Sequence, residues 1–329
     1  MIAFALKRLL FAIPVLLGVL TLTFLLVESA PGSPIDLWIG DRPVPVEVRE
    51  RIEEAYGLDR PAAERYLHWL GAVTLHGEWG WSVSRSRPVA RLLAGALPAT
   101  IVLAAAALAL HVAAGLALGI FCAARRGRLA DWTVSTGGLV LYSMPTFWMG
   151  LMAILFLAYK LPLFPPSSLH SVGAETWSLW RRALDLAWHL VLPASVLGLA
   201  SSASLARLLR AGILESLAED FIRAARARGA GGVRVLAVHA LRNGLLPSIS
   251  VLGLSIPLLV SGSLVTEVVF AWPGMGRLAY EAILAKDVPV VLAATALSST
   301  LVVLGNLAAD LALGMADPRI RLRASGAQR

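Results

Sequence analysis

The residue types that usually carry catalysis are present here in the wrong company. The lysines are Lys7, Lys160 and Lys286, and they are followed by arginine, leucine and aspartate, so none completes the Gly-Lys-Ser/Thr of a phosphate-wrapping loop. No H-E-x-x-H pair offers a zinc site on a helix, and Gly253-Leu254-Ser255 lacks the second glycine of a nucleophile elbow. His111 and His189 stand in or near apolar runs, with no serine or metal ligand at useful spacing, and read as structural. Cys122 is the sole cysteine, which excludes an internal disulfide and a cysteine metal cage. No catalytic residue, metal site or cofactor is expected.

Acidic residues inside apolar runs are the next candidates, because a carboxylate in a bilayer is costly unless paired or wetted. Glu267 lies near the end of the fifth apolar run and Asp310 in the sixth, one turn after Asn306. Glu267 is the candidate pathway or gate residue. Placement close to an interface is the plainer reading of both.

The most ordered charge pattern lies at 207–245, a stretch far longer than a simple connector. Leu214, Leu217, Phe221 and Ala225 recur at helical spacing and define an apolar face. Glu215, Glu219, Arg223 and Arg226 share the opposite face, with a Glu219–Arg223 pair one turn apart. Gly229 ends this helix as a C-terminal cap, Ala230-Gly231-Gly232 turns the chain, and a second helix is expected over Val233–Asn243.

These residues are positioned by membrane-spanning elements. Hydrophobic residues make up 57% of the 329 and charged residues 15%, far from the balance of a soluble chain. The mean hydropathy is +0.73. Six runs are long enough to span a bilayer core: Leu9–Val27, Leu97–Ala123, Val134–Tyr159, Trp188–Leu205, Leu246–Ala271 and Val288–Met315. The first reads as an uncleaved anchor, since it exceeds the usual length of a signal-peptide core. Pro145, Pro193 and Pro257 are expected to kink their helices. Gly115 and Gly119 form a G-x-x-x-G step suited to close approach of another helix. Trp132, Trp188 and Trp272 fall at span ends, where indoles favour the interface.

Orientation follows from arginine and lysine. With the N-terminus in the cytoplasm, the inner segments carry sixteen of the 29 basic residues; the outer ones carry five once the long 31–96 segment is set aside. Long segments translocate largely regardless of charge. The net charge of +8 is therefore topological, and no nucleic acid partner is expected. The chain divides into 1–30, an N-terminus and first span; 31–96, an extracytoplasmic segment with short helices at Glu47–Tyr56 and Ala62–Val73; and 97–329, a core of five spans with the cytoplasmic loop 207–245.

Arg223-Ala224-Ala225-Arg226-Ala227-Arg228-Gly229 resembles the E-A-A-x-x-x-G signature of ABC importer permeases, with Arg223 in the place of the glutamate. Together with His239-Ala240-Leu241-Arg242-Asn243-Gly244-Leu245-Leu246-Pro247, it is similar to the oligopeptide/dipeptide/nickel branch. Gly80-Trp81-Ser82, Leu97-Pro98-Ala99-Thr100, Ser143-Met144-Pro145, Phe270-Ala271-Trp272-Pro273-Gly274 and Asp317-Pro318-Arg319 resemble the first of the two permeases in that branch.

The resemblance implies an all-α, type I ABC importer permease fold in a bacterial or archaeal plasma membrane, with both termini cytoplasmic. It implies a homologous second permease, two ATPase subunits that hydrolyse ATP, and an extracytoplasmic solute-binding protein. Leu217, Phe221, Arg223, Ala224, Ala225, Arg226, Arg228 and Gly229 would form the ATPase-coupling element, with Leu217, Phe221 and Ala225 as its apolar contacts. Short peptides are the implied cargo. A nickel chelate or glutathione is the alternative within the family; a secondary transporter or channel is the reading from another class.

Overall fold

The computed structural model describes residues 2–29, 59–245 and 263–316, with single positions 45, 47, 50 and 248. Most of the expected helix Glu47–Tyr56, most of the fifth run, Pro257 and the Asp317-Pro318-Arg319 motif lie outside the described residues. The chain folds as two compact units, one of residues 2–100 and 273–301, the other of residues 101–272 and 302–329.

In the first unit, α1 (Ile2–Glu28) carries the apolar run Leu9–Val27, with Pro14 inside it. Helix α2 (Ala62–Gly71) continues as a π-type turn, Ala72–His76, and packs on α1. Its Tyr66 ring lies 5.1 Å from Phe24, its hydroxyl lies 2.9 Å from Thr21 Oγ1, and Arg65 pairs with Glu28. Strands β1 (Trp81–Ser82) and β2 (Arg87–Pro88) form an antiparallel hairpin. Its serines converge on Asp287: Ser82 Oγ and Ser84 Oγ each donate to Oδ2 at 2.6 Å, and the Ser84 N–H does so at 3.2 Å. The core of this unit joins Val89 and Leu93 to Met275, Leu278, Val290 and Val291.

The second unit holds most of the apolar length. Helix α3 (Val89–Ala124) begins in the first unit and ends in this one. Helices α4 (Leu129–Ser143) and α5 (Thr146–Ala153) are separated by Met144 and Pro145, and α5 runs on as a π-type stretch, Ile154–Lys160. The break bends this apolar pair by 104°. The expected kink at Pro145 is thus a full interruption, because the residue before a proline is pushed out of helical geometry and Met144 is extended, with ψ 139°. Pro193 behaves differently. It is buried inside α6 (Leu179–Ala218), which continues past it for a total of 40 residues. Helix α9 (Met275–Leu284) lies in the first unit, and α10 (Val288–Ala316), which begins there, fills the sixth run.

Among the described residues, four helices are long and apolar enough to cross a membrane, or five if the bent pair is one span. The chain is therefore an all-α, multi-pass membrane protein. Small residues let α3 and α6 approach: a Cβ on Gly115 would lie 2.6 Å from Leu205, and one on Gly119 3.0 Å from the Ala206 carbonyl. The G-x-x-x-G step is a packing surface.

Candidate functional site

The loop after α6 is not one amphipathic helix. Helix α6 persists to Ala218, Glu219 is extended with ψ 154°, and a new helix, α7, spans Asp220–Ala227. Leu214 and Leu217 therefore belong to the end of α6, where they are half-buried. The expected Glu219–Arg223 pair is replaced by Asp220–Arg223, since Glu219 lies outside the helix. An acidic residue in the first turn of α7 also suits the helix dipole.

Burial sets the orientation of α7. Ile222 is fully buried with Ala123 of α3, Leu209 and Ile213 of α6, and Val235 and Ala240 beyond the turn. Burying an isoleucine side chain stabilises by about 1.5–3 kcal/mol, enough to fix which face of a two-turn helix points inward. Ala225, only 3% exposed, shares that inward face. This corrects the expectation that Ala225 faces a partner; it seats the helix on its own chain. The exposed side carries Phe221, 41% exposed, with Ala224 and Arg228 at helical spacing from it. Arg223 and Arg226 flank that stripe and are also exposed.

The end of α7 is closed by backbone geometry. The Gly229 N–H donates to the Arg226 carbonyl at 2.9 Å and the Ala230 N–H to the Ala225 carbonyl at 3.1 Å. This is the pairing of a Schellman motif, with Gly229 at φ +85° in the left-handed region as the sequence requires. The chain then re-enters helix at α8 (Gly232–Arg234), continues through a π-type stretch, Val235–Ala240, and stays helical to 245. It crosses α6 with backbones touching, because a Cβ on Gly212 would sit 2.6 Å from the Gly244 carbonyl oxygen.

Three polar clusters have no counterpart in the sequence reading. Asp131, in the first turn of α4, is buried and accepts the Gly127 N–H at 3.0 Å. Its carboxylate also takes Arg210 of α6 in a fork: Nε donates to Oδ1 and Nη2 to Oδ2, both at 2.8 Å. In the sequence Arg210 is one more basic residue of the stretch 207–245. Buried Cys122 lines a small cleft beside this pair, with Ser135, Ala203 and Arg207. The second cluster is Asp287 with the hairpin serines. The third is Asp185 of α6, which accepts from Ser171 Oγ at 2.6 Å and the Ser171 N–H at 2.9 Å, with His170 Nδ1 at 3.0 Å. His189 Nδ1 lies 2.8 Å from the Asp185 carbonyl, so this histidine has its partner one turn away.

Glu267 is fully buried in the helical stretch 263–269, where it accepts from Ser263 Oγ at 3.0 Å. The structure does not bring it together with the α7 residues. Trp132 and Trp188 are exposed, whereas Trp272 is fully buried, against expectation.

Two family models match the chain. Residues 115–322 match the binding-protein-dependent transport system inner membrane component, and residues 1–104 match its N-terminal part. An oligopeptide transport system permease protein, AppB of Bacillus subtilis, is 38% identical over 321 residues, covering 97% of this chain and 99% of the relative. A dipeptide transport system permease protein, DppB of Escherichia coli K12, is 36% identical over 98% of this chain and 99% of its own length. A di/tripeptide transport system permease protein of Pseudomonas aeruginosa is 37% identical, with 98% and 99% covered. Among solved structures, a chain of the inward-facing MetNI methionine ABC transporter matches with a TM-score of 0.51 and 18% identity, covering 69% of this chain and 96% of that one. That likeness carries the fold alone.

Proposed function

The chain belongs to the family of binding-protein-dependent transport system inner membrane components, and from that premise we propose that it is the permease subunit forming half of a peptide pathway in an ATP-driven ABC importer. The cargo reading is supported by relatives named for oligopeptides, dipeptides and di/tripeptides, each similar over nearly the whole chain. A homologous second permease would complete the pathway. A solute-binding protein would deliver peptide from outside, and two ATPase subunits would hydrolyse ATP on the cytoplasmic side. Both termini and the loop 207–245 face the cytoplasm in this reading, in keeping with the distribution of arginine.

Helix α7 is the coupling element. The observation that carries this is an exposed Phe221, flanked by Arg226 and Arg228, on a two-turn helix whose opposite face is buried against α3 and α6. An exposed aromatic with arginine beside it suits a protein interface, where aromatic and arginine side chains anchor partners. Arg223, Arg226 and Arg228 supply charge complementarity, while Leu217, Ala225 and Gly229 hold the helix in place. Movement of the docked ATPase would pass through α7 into the membrane helices, and alternate the gate between the two permeases. Glu267 is retained as the candidate gate residue.

ATP-dependent uptake of labelled di- and tripeptides tests this in proteoliposomes holding the complete complex. Peptide uptake that requires ATP and the binding protein is the expected result. Uptake of a nickel chelate but no peptide would overturn the cargo; uptake without ATPase subunits would overturn the mechanism.

A further inference from the structure

Helix α4 is fastened to α6 by a charged pair as well as by close packing. Asp131 holds the α3–α4 turn through the Gly127 N–H, at a residue with φ +73°, and the same carboxylate grips Arg210 through two parallel hydrogen bonds of 2.8 Å. Farther along, a Cβ on Gly138 would lie 3.1 Å from Ala203 Cβ, so the two helices stay close beyond the pair. Arg210 lies eight residues upstream of Ala218, the end of α6, and only Glu219 separates α6 from α7.

Apolar side chains can slide past one another at little cost. A bidentate pair cannot: a shift of a few ångströms breaks both hydrogen bonds and leaves a buried charge uncompensated. We propose that Asp131 and Arg210 are positioning residues for coupling, a rigid tie that makes α4, and the bent α4–α5 segment with it, follow any displacement of α7 and the end of α6. This rests on the reading of α7 as the ATPase-docking helix. The competing role is purely structural, a pair that holds the fold together and transmits nothing.

The reconstituted complex, with its ATPase subunits and binding protein, yields two separable quantities. One is the amount of complex assembled; the other is the ratio of binding-protein-stimulated to basal ATP hydrolysis. Asp131→Asn combined with Arg210→Gln removes both charges together and keeps an acceptor for the Gly127 N–H. Arg210→Lys keeps the charge and loses the fork. The expected result is wild-type assembly with a stimulation ratio lowered about tenfold, within the usual range of coupling free energies. A lowered ratio in every variant that assembles supports the tie. A wild-type ratio in either assembled variant overturns it, as does failure of both to assemble, which would make the pair a folding element only. Phe221→Glu in the same assay keeps the two readings apart. A wild-type ratio there defeats the docking helix, whereas a lost ratio there beside wild-type ratios in the pair variants defeats only the tie.

Discussion

Gly212 and Gly244 place two backbones in direct contact: a Cβ on Gly244 would sit 2.7 Å from the Ile213 amide nitrogen, and one on Gly212 2.6 Å from the Gly244 carbonyl oxygen. Backbone atoms cannot swing aside as a flexible side chain can. Gly244→Ala should therefore destabilise the folded protein by about 1–3 kcal/mol, the usual range for overpacking. Thermal unfolding in detergent measures this. An unchanged midpoint would mean that the crossing of α6 by the 232–245 helix is looser than described.

Phe221 and Ala225 should separate binding from folding. Phe221 is exposed, so Phe221→Glu should leave insertion and thermal stability near wild type while weakening association with the ATPase subunits by about 2 kcal/mol, as loss of an aromatic anchor does. Ala225 is buried, so Ala225→Asp puts a charge into an apolar seat and should reduce the yield of folded protein before any partner is added. Co-purification and unfolding curves on both variants decide the matter. Similar behaviour of the two would remove the distinction between the faces of α7.

Glu281 predicts a pH dependence. Burial alone would raise its carboxyl; hydrogen bonds and charge from Arg277, 2.7 Å away, and from Arg85 outweigh this and hold it below the ordinary glutamate value of 4.5. A carboxylate lowered in the folded state contributes stability that is present above its unfolded value and lost as pH falls through the lowered one. The stability difference between wild type and Arg85→Ala should therefore be constant near neutrality and shrink as the medium is acidified below about pH 4.5. A difference that instead grew on acidification would contradict the pairing.

Topology is open to a direct test. Reporter fusions after Gly80 and after Gly231 should report opposite sides of the membrane, the second cytoplasmic. Signals from the same side would exclude an odd number of crossings between them.

Local signals were legible in the sequence and long-range partnerships were not. Gly229 announced its left-handed cap because glycine past the end of a helix has a specific conformational use. The apolar runs announced the spans by length and composition alone. The break at Glu219 was hidden, because no glycine or proline marks it and the apolar spacing from Leu214 to Ala225 runs on through it; the burial of Ile222 behind the break shows only in the folded chain. Arg210 and Asp131 are 79 residues apart and Ser82 and Asp287 are 205 apart, so no spacing rule joins them. Pro145 and Pro193 show the same limit from the other side. Both carry a helix-breaking residue, yet one ends a helix and the other sits buried within a longer one, where packing overrides the local preference.

The length of α6 has a mechanical meaning. Its 40 residues make a rod about 60 Å long, about twice the thickness of a bilayer core. Gly198 lies against α3 so closely that a Cβ there would be 2.6 Å from the Ala107 carbonyl oxygen, and Leu205, Ala206 and Leu209 meet Gly115 and Gly119 as closely farther along. The seam between the two helices thus runs about 16 Å, from Gly198 to Leu209. Past it, about 14 Å of α6 extends to Ala218. A displacement of that tip is borne by α3 and α6 together, as by a doubled beam.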